Sequence, residues 1–336
     1  MANRVRVLVL SDIHYAGPAE RERKDHESKV IPGFLLRTLV GLYRRYFWLR
    51  DVFAHNHLLD DVIQRGGEPD WVVANGDYSC DTAFVGCSDE AAFESAAQCL
   101  GELRRAYGGR LLAIMGDHEL GKKSIFGGAG GLRWASWERA VSGLGLNPLW
   151  SQDVGVYCLM GVTSSLLALP VMGADIKESE KNAWEQLREG YILQIEKWFD
   201  SLDSKRRVIL FCHDPSALPF LAEISSVRKR LDQVERTVIG HLHSDFILRS
   251  SRLLGGMPQI SFLGVTVNRL SAALRTSRAW GPFKVVLCPS LAGIELLKDG
   301  AFLEIDLDPH GNEPARFAKH RLPRGGHLRK ETLRRV

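Results

Sequence analysis

The residues of this sequence best suited to metal binding and catalysis are carboxylates and imidazoles that occur together in short blocks. The blocks are Asp12-Ile13-His14, Gly76-Asp77, Gly116-Asp117-His118-Glu119, Cys212-His213-Asp214 and Gly240-His241-Leu242-His243. Oxygen and imidazole donors without thiolate suit divalent ions such as Mn²⁺, Fe²⁺ or Zn²⁺. Two such ions about 4 Å apart can hold an attacking hydroxide and a phosphoryl oxygen together. These residue types therefore predict a two-metal centre for phosphoryl chemistry.

The spacing within the first and last blocks supports the same prediction. Asp12 and His14 are two residues apart. On an extended segment both side chains would therefore point to the same side and could bind one ion together. His241 and His243 repeat this spacing, and Gly240 allows a close approach of the backbone.

The remaining ligand types come from the middle of the chain. Asp77 follows a glycine at a predicted strand end and is suited to bridge two ions, while Asp117 and His213 complete a second ligand set. A single strand-end histidine is usually structural, and an aspartate after glycine is usually turn chemistry. Their joint order at successive strand ends favours a metal site over coincidence.

Strand and helix patterns alternate along the chain and predict an α/β fold. The predicted strands are Val5–Ser11, Trp71–Asn75, Leu111–Met115, Val156–Val162, Arg207–Cys212, Thr237–Ile239, Gln259–Leu263, Lys284–Leu287 and Phe302–Leu307. The predicted helices are Phe53–Gln64, Asp89–Tyr107, Glu178–Leu202 and Ala217–Leu231. The metal-ligand blocks follow strand carboxyl ends, where open α/β sheets place their ligands.

The composition is that of an ordinary globular enzyme, with 336 residues, 45% hydrophobic and 25% charged. A net charge of +4 is too small to indicate nucleic-acid binding. We predict one domain over residues 1–310 and a solvated basic tail over 311–336, because eight Lys/Arg lie between residues 316 and 336. The oligomeric state stays open.

The cysteines and the apolar segments indicate a cytoplasmic protein. The six cysteines show no paired CxxC spacing, and several lie in apolar runs, where free cysteine behaves as a small hydrophobe. The first strand pattern begins at Val5 without a preceding signal segment. No apolar stretch approaches the ~20 residues that cross a bilayer.

Two segments interrupt the alternation of strands and helices. Residues 16–52 form an unusually long connection after the first strand, rich in large apolar side chains and arginines. The glycine-rich segment Gly121–Gly131 lacks the Lys-Ser/Thr of a phosphate-binding loop and predicts a mobile loop beside the site.

The order of the blocks resembles the calcineurin-like metallophosphoesterases over residues 5 to 245. That family carries D-x-H, G-D, G-N-H-[DE], H and G-H-x-H in this order. The resemblance implies a four-layered sandwich of two mixed β-sheets flanked by helices. It also implies a hydrolase that uses two metal ions and a bridging hydroxide, for which we expect Mn²⁺, with Fe²⁺ or Zn²⁺ as alternatives.

The resemblance also assigns roles to individual residues. The first ion would be held by Asp12, His14, Asp77 and His243. The second ion would be held by Asp77, Asp117, His213 and His241. His118 would protonate the leaving group or stabilise the transition state, and Glu119 would orient the His118 ring.

Asp117 departs from the family pattern, which normally has asparagine at this position. With two divalent ions and three carboxylates the ligand set carries a charge of about +1, one less than with asparagine. We expect tighter binding of the second ion, a less acidic bridging water and slower turnover or a shifted pH optimum.

Two weaker features of the sequence bear on which phosphoester is the substrate. Gly76-Asp77 lacks the following Asp-Arg-Gly of Ser/Thr protein phosphatases, which argues against a phosphoprotein substrate. The stretch from Leu36 to Arg45 mixes apolar residues with arginines, and it resembles the insertion of bacterial members that include the enzymes cleaving UDP-2,3-diacylglucosamine in lipid A synthesis. Such a segment either lies in a membrane interface or packs on the enzyme's own core.

We therefore expect a lipid-linked pyrophosphate as substrate, with peripheral membrane contact through residues 32–50 and the basic tail. A nuclease or soluble phosphodiesterase with the same metals is one alternative, although nucleic acid is not the expected partner because no stacking platform or groove-reading motif is present. A catalytically weak binding protein with the same fold is the other, and Asp117 is its main support.

Overall fold

The computed structural model describes residues 4–23, 31, 33–46, 55–122, 130–173, 176–242, 277–292 and 300–322. Its strands are β1 Val5–Leu10, β2 Trp71–Ala74, β3 Leu111–Ala113, β4 Leu149–Val154, β5 Tyr157–Val162, β6 Arg207–Cys212, β7 Val234–Ile239, β8 Val285–Leu287, β9 Ala301–Leu307 and β10 Arg316–Arg321.

The α-helices of the described chain are mostly short. They are α1 Pro18–Glu22, α2 Phe34–Tyr46, α3 His57–Arg65, α4 Glu90–Tyr107, α5 Asp117–Leu120, α6 Trp134–Glu138, α7 Ser164–Leu167, α8 Leu169–Met172, α9 Lys181–Ser201, α10 Leu218–Glu223 and α11 Ser225–Lys229. Single turns of 3₁₀ helix cover 86–88, 108–110, 178–180, 215–217 and 231–233, with a longer one at 277–283. A π-helical turn at 139–143 continues α6.

Two mixed five-stranded sheets form the centre of the fold, as expected. The first has the order β10-β9-β1-β2-β3, with β1, β2 and β3 parallel and β9 antiparallel to both neighbours. The second has the order β4-β5-β6-β7-β8, with β4 antiparallel and the other four strands parallel. The carboxyl ends of the parallel strands in each sheet therefore meet at one edge.

The period of two along the strands explains why the sheets stack. In β1, Val7 and Val9 belong to a cluster that also contains Ile209 and Phe211 of β6, so this cluster lies between the sheets. The alternate residues, such as Leu8, join a larger cluster that includes the helical side chains. Both faces of each central strand are buried, which explains the nearly continuous apolar runs of the sequence.

The residues that follow β1 and those that follow β8 contact each other and so join the two sheets near the strand ends. Ser11 pairs with Ser290, and the backbone N–H groups of Leu291 and Ala292 donate to the carbonyls of Ser11 and Asp12 at 3.0 and 2.9 Å. The end of β1 is thus tied to the segment after β8. This junction places the Asp12 block beside the late histidine block.

Several predicted elements need correction. The expected helix Ala217–Leu231 is two helices, because the backbone of Ile224 is extended between them. Strand β4 was not predicted, since its polar residues break the apolar pattern of a buried strand. The predicted strand Gln259–Leu263 lies outside the described residues, and so do residues 123–129 of the glycine-rich segment.

The predicted boundary between domain and basic tail is also wrong. Arg316–Arg321 forms strand β10, which pairs with β9 along its whole length and completes the first sheet. Its charged residues suit an edge strand, where they oppose pairing with another chain. Residues 323–336 lie outside the described residues.

All six cysteines are free, as expected. Within the described residues, no helix combines the length and hydropathy needed to cross a membrane.

Candidate metal centre

Four of the predicted metal ligands adopt a left-handed backbone. Their φ angles are +53° for Asp12, +48° for His14, +60° for Asp77 and +57° for His241. Residues other than glycine rarely take this conformation, and it concentrates at functional sites. The expectation that Asp12 and His14 share an extended segment is therefore wrong, because the chain turns directly after β1.

Asp77, Asp117, His213 and His241 bring one ligand atom each to within 4.8 Å of one another. These are the four residues predicted to hold the second ion. Asp77 and His213 are almost completely buried, and Asp117 is 7% exposed. Carboxylates and imidazoles brought this close suit a divalent cation.

A second group of ligand atoms, also within 4.8 Å, contains His14, Asp77 and His118. Asp77 therefore belongs to both groups, which agrees with its predicted bridging position. Neither group includes Asp12, whose carboxylate accepts hydrogen bonds from the Ser11 hydroxyl at 2.7 Å and from the His241 backbone N–H at 3.2 Å. His243 lies outside the described residues, so its ligand role stays a prediction.

His213 directs one ring nitrogen at the carboxylates of Asp77 and Asp117. Its Nδ1 bonds the Asn75 carbonyl at 2.6 Å, which leaves Nε2 pointing at the carboxylates. Nε2 lies 3.1 Å from Oδ2 of Asp77 and 3.4 Å from Oδ1 of Asp117. Nε2 therefore sits where a proton or a metal ion could be shared with both carboxylates, and a bound cation would replace the proton there.

Asp117 also contacts the last histidine block. Its Oδ1 lies 3.1 Å from Nδ1 of His241. Burial acts to raise the pKa of Asp117, but His241 and His213 hold it well below its ordinary value. In His241 burial acts to lower the pKa, and Asp117 and Asp214 raise it to about 10. The Asp117 carboxylate is thus ionised beside a positively charged His241.

The same electrostatics hold at the shared residue. Burial and Asp117 act to raise the pKa of Asp77, but His118 and His213 lower it below its ordinary value. Burial acts to lower the pKa of His213, and Asp77 and Asp117 raise it well above its ordinary value. Two ionised carboxylates side by side in a buried site favour a cation between them.

His118 is oriented by a carbonyl rather than by Glu119. Its Nδ1 lies 2.9 Å from the Ser79 carbonyl, so this nitrogen carries the proton and donates it. Burial lowers the pKa of His118 well below its ordinary value, although Asp77 opposes this. The ring is therefore neutral in the free protein, with Nε2 facing the site 3.6 Å from Oδ2 of Asp77.

The predicted role of Glu119 as a partner of the His118 ring is wrong. Its carboxylate accepts hydrogen bonds from the backbone N–H groups of Asp77, Tyr78 and Gly116 at 3.0, 2.8 and 2.8 Å. Glu119 therefore positions the two loops that carry the ligands. Its neighbour Gly116 packs so closely that an added Cβ would lie 2.6 Å from the Asp77 nitrogen.

Gly240 allows the close approach that was predicted for it. An added Cβ would collide with the Ser11 hydroxyl and would lie 2.7 Å from Oδ2 of Asp12. Larger residues are excluded here because the first and last ligand blocks touch at this point.

Two site groups were missed from the sequence. The Ser79 carbonyl orients His118, but a backbone group leaves no trace in residue types. Lys122 Nζ lies against Nε2 of His118. Lys122 lies beyond the end of helix α5 at Leu120, so helical spacing could not have placed it beside the ring.

A family model described as calcineurin-like phosphoesterase matches residues 5–245 of the chain. Among solved structures, a dimetal phosphatase from Danio rerio is 14% identical, with a TM-score of 0.47, covering 90% of this chain and 92% of the other. A purple acid phosphatase from yellow lupin (Lupinus luteus) seeds is 12% identical, with a TM-score of 0.40, covering 96% of this chain and 52% of the other. A phosphopantetheinyl hydrolase from Mycobacterium tuberculosis is 14% identical, with a TM-score of 0.33, covering 72% and 84%. No curated protein matches the sequence.

Proposed function

The chain belongs to the calcineurin-like phosphoesterase family, and from this premise we propose that it hydrolyses a phosphodiester or pyrophosphate bond with two divalent metal ions. The observation that carries the proposal is the position of Asp77, which contributes ligand atoms to both groups of carboxylates and imidazoles. A carboxylate between two cations is the arrangement that a two-metal centre requires.

The residues present fit the ions by their donor chemistry. One ion would be held by Asp77, Asp117, His213 and His241, and Nε2 of His213 already points at both carboxylates of this group. The other would be held by His14 and Asp77, together with Asp12 and His243 as expected from the sequence. When bound, the ions would stabilise charge on the phosphoryl group and acidify the attacking water.

His118 is the proposed general acid. The Ser79 carbonyl holds Nδ1, so Nε2 is the ring atom that faces the leaving oxygen. Because the ring is neutral in the free protein, we propose that Nε2 takes up a proton from solvent when the anionic phosphoryl group binds beside it, and then passes this proton to the leaving oxygen. Glu119 contributes indirectly, because it fixes the backbone of Asp77 and Gly116 on either side of the site.

We propose Mn²⁺ as the native metal, with Fe²⁺ or Zn²⁺ as alternatives, because the donors are oxygens and imidazoles. Metal-free protein reconstituted with each ion and assayed on bis-p-nitrophenyl phosphate tests both the reaction class and the metal. Activity with none of the three ions would contradict the proposal and favour a binding protein that retains only the fold.

The proposed substrate class is a lipid-linked pyrophosphate such as UDP-2,3-diacylglucosamine. Helix α2 supports it, because five large apolar side chains of this helix are exposed, with Phe34 at 82% and Leu35 at 73%. Val40 of the same helix is buried. The helix also carries arginines and no acidic residue, which suits an anionic lipid surface. We propose a cytoplasmic enzyme that contacts membranes through residues 32–50 and its basic terminus.

Turnover of UDP-2,3-diacylglucosamine with and without detergent tests the substrate class. The double variant Phe34→Ser/Leu35→Ser should lose turnover of the lipid substrate and retain that of the simple diester. Leu193→Ser is the matched control, because Leu193 is also exposed, at 56%, but lies on α9. Equal loss on both substrates, or none on either, would contradict the role of α2. Cleavage of a polynucleotide instead of the lipid would favour the nuclease.

A further inference from the structure

Lys122 places a positive charge beside His118 in the candidate site. Its Nζ lies against Nε2 of His118 and 3.5 Å from Nδ1 of the same ring. The same Nε2 is 3.6 Å from Oδ2 of Asp77, and the His14 ring centroid is 4.5 Å from that of His118. The ammonium therefore borders the group formed by His14, Asp77 and His118.

The backbone around Lys122 is fixed at both ends. The Gly121 nitrogen donates to the Asp117 carbonyl at 2.9 Å, and Gly121 has a φ of +102°. An added Cβ at Gly121 would collide with the Gly131 carbonyl. The Gly131 nitrogen in turn donates to the Lys122 carbonyl at 3.0 Å. The position of Lys122 beside the site is therefore built into the fold.

The hydrogen bonds of the His118 ring define what Lys122 does in the free protein. Since Nδ1 donates its proton to the Ser79 carbonyl, Nε2 has a lone pair and accepts from the ammonium. An ammonium has three N–H donors, and this contact uses one of them. The other donors of Lys122 are suited to an anionic oxygen that enters the site beside His118.

The net charge of the metal-loaded site is compatible with an additional cation, the ammonium of Lys122, beside the phosphoryl group. Two divalent ions and the carboxylates of Asp12, Asp77 and Asp117 would leave a net charge of about +1, while a phosphoryl group brings at least one negative charge. Lys122 adds one positive charge without adding a metal ligand, and so offsets one of these carboxylates.

We propose that Lys122 binds a phosphoryl oxygen of the substrate on the side of His118. This inference rests on the proposed phosphoesterase function. It adds to that function a protein-borne cation that recognises phosphate directly and that would hold the leaving side of the substrate against Nε2 of His118.

The test compares Lys122→Met and Lys122→Arg with the wild-type protein, all loaded with metal. Lys205→Met is the control, because Lys205 is an exposed lysine beside strand β6. Binding of inorganic phosphate is measured by calorimetry, metal content by elemental analysis and folding by circular dichroism. Phosphate binding can be measured without turnover, so it tests Lys122 even if the simple diester is not cleaved.

We expect Lys122→Met to weaken phosphate binding about 10- to 100-fold, the range for losing a hydrogen bond to a charged group. Metal content should stay at the wild-type level, and Lys122→Arg should restore part of the affinity. The proposal is overturned if phosphate affinity is unchanged in folded Lys122→Met. It is also overturned if that variant binds metal more tightly, because Lys122 would then compete with an ion instead of binding substrate.

Discussion

The carboxylate of Glu119 accepts a hydrogen bond from the backbone nitrogen of Asp77, 42 residues earlier in the chain, at 3.0 Å. The same carboxylate accepts from Tyr78 and Gly116, so it joins the loops that follow β2 and β3. Asp77 has a left-handed backbone that a regular strand cannot supply. Glu119 is therefore the side chain that holds the shared metal ligand in place.

Replacing Glu119 with alanine should lower both stability and metal affinity, because three buried N–H donors would lose their acceptor. We expect a loss of about 1.5–3 kcal/mol in the free energy of unfolding, the range for hydrogen bonds to a charged group. Denaturant titration and a metal-binding isotherm measure the two effects, with the exposed Glu185→Ala as control. A folded Glu119→Ala protein with wild-type metal affinity would contradict this role.

Replacing Asp77 with alanine should abolish activity and occupancy of both metal sites together, because its carboxylate belongs to both groups of ligand atoms. Activity on the simple diester and the number of bound ions per chain are measured on the same sample. Asp200→Ala, at an exposed position of α9, should behave like the wild type. Retained turnover in Asp77→Ala would exclude the two-metal scheme.

Asp117→Asn should weaken binding of one ion and raise turnover once metal is saturating. The change removes a negative charge next to His241 and His213 but keeps a carbonyl oxygen as a ligand. We expect affinity for that ion to fall on the order of tenfold, since cation affinity follows the charge of the ligands. Metal titration measures the affinity, and kcat is then measured at saturating metal. A kcat lower than that of the wild type would show that the negative charge of Asp117 assists the reaction.

Glu20 should make the protein less stable as the pH rises. Burial raises the pKa of Glu20, although Thr82 and Cys80 donate hydrogen bonds to its carboxylate. The folded chain therefore holds this proton more tightly than the unfolded chain, and stability falls from the ordinary glutamate pKa of about 4.3 up through the raised value.

Glu20→Gln removes this titration, so the variant should gain stability relative to the wild type as the pH rises through the same window. Unfolding curves recorded across that window measure the difference. Glu22→Gln, at an exposed position on the same helix, should follow the wild-type slope. Parallel curves for wild type and Glu20→Gln would mean that Glu20 does not contribute to the pH dependence.

Strand pattern and block order alone were enough to predict the α/β architecture and most of the metal-ligand types. Buried strands can be predicted from apolar runs in the sequence. The run that forms β6 was predicted with its observed bounds Arg207–Cys212. The edge strands β4 and β10 were not predicted because their many charged and polar residues resemble those of a loop or a tail.

The metal ligands could be predicted because each block is a short stretch of sequence whose residue types are those that bind metal ions. The hydrogen bonds that hold these ligands in place involve residues distant in sequence and could not be predicted in this way. Only the folded chain brings Glu119 to the nitrogen of Asp77 and the ring of His118 to the carbonyl of Ser79. Only the fold, too, closes the turn that sets Lys122 against His118. Backbone groups carry no residue-type signal, and a hydrogen bond between two loops forms only after the sheet has aligned the strand ends that bear them.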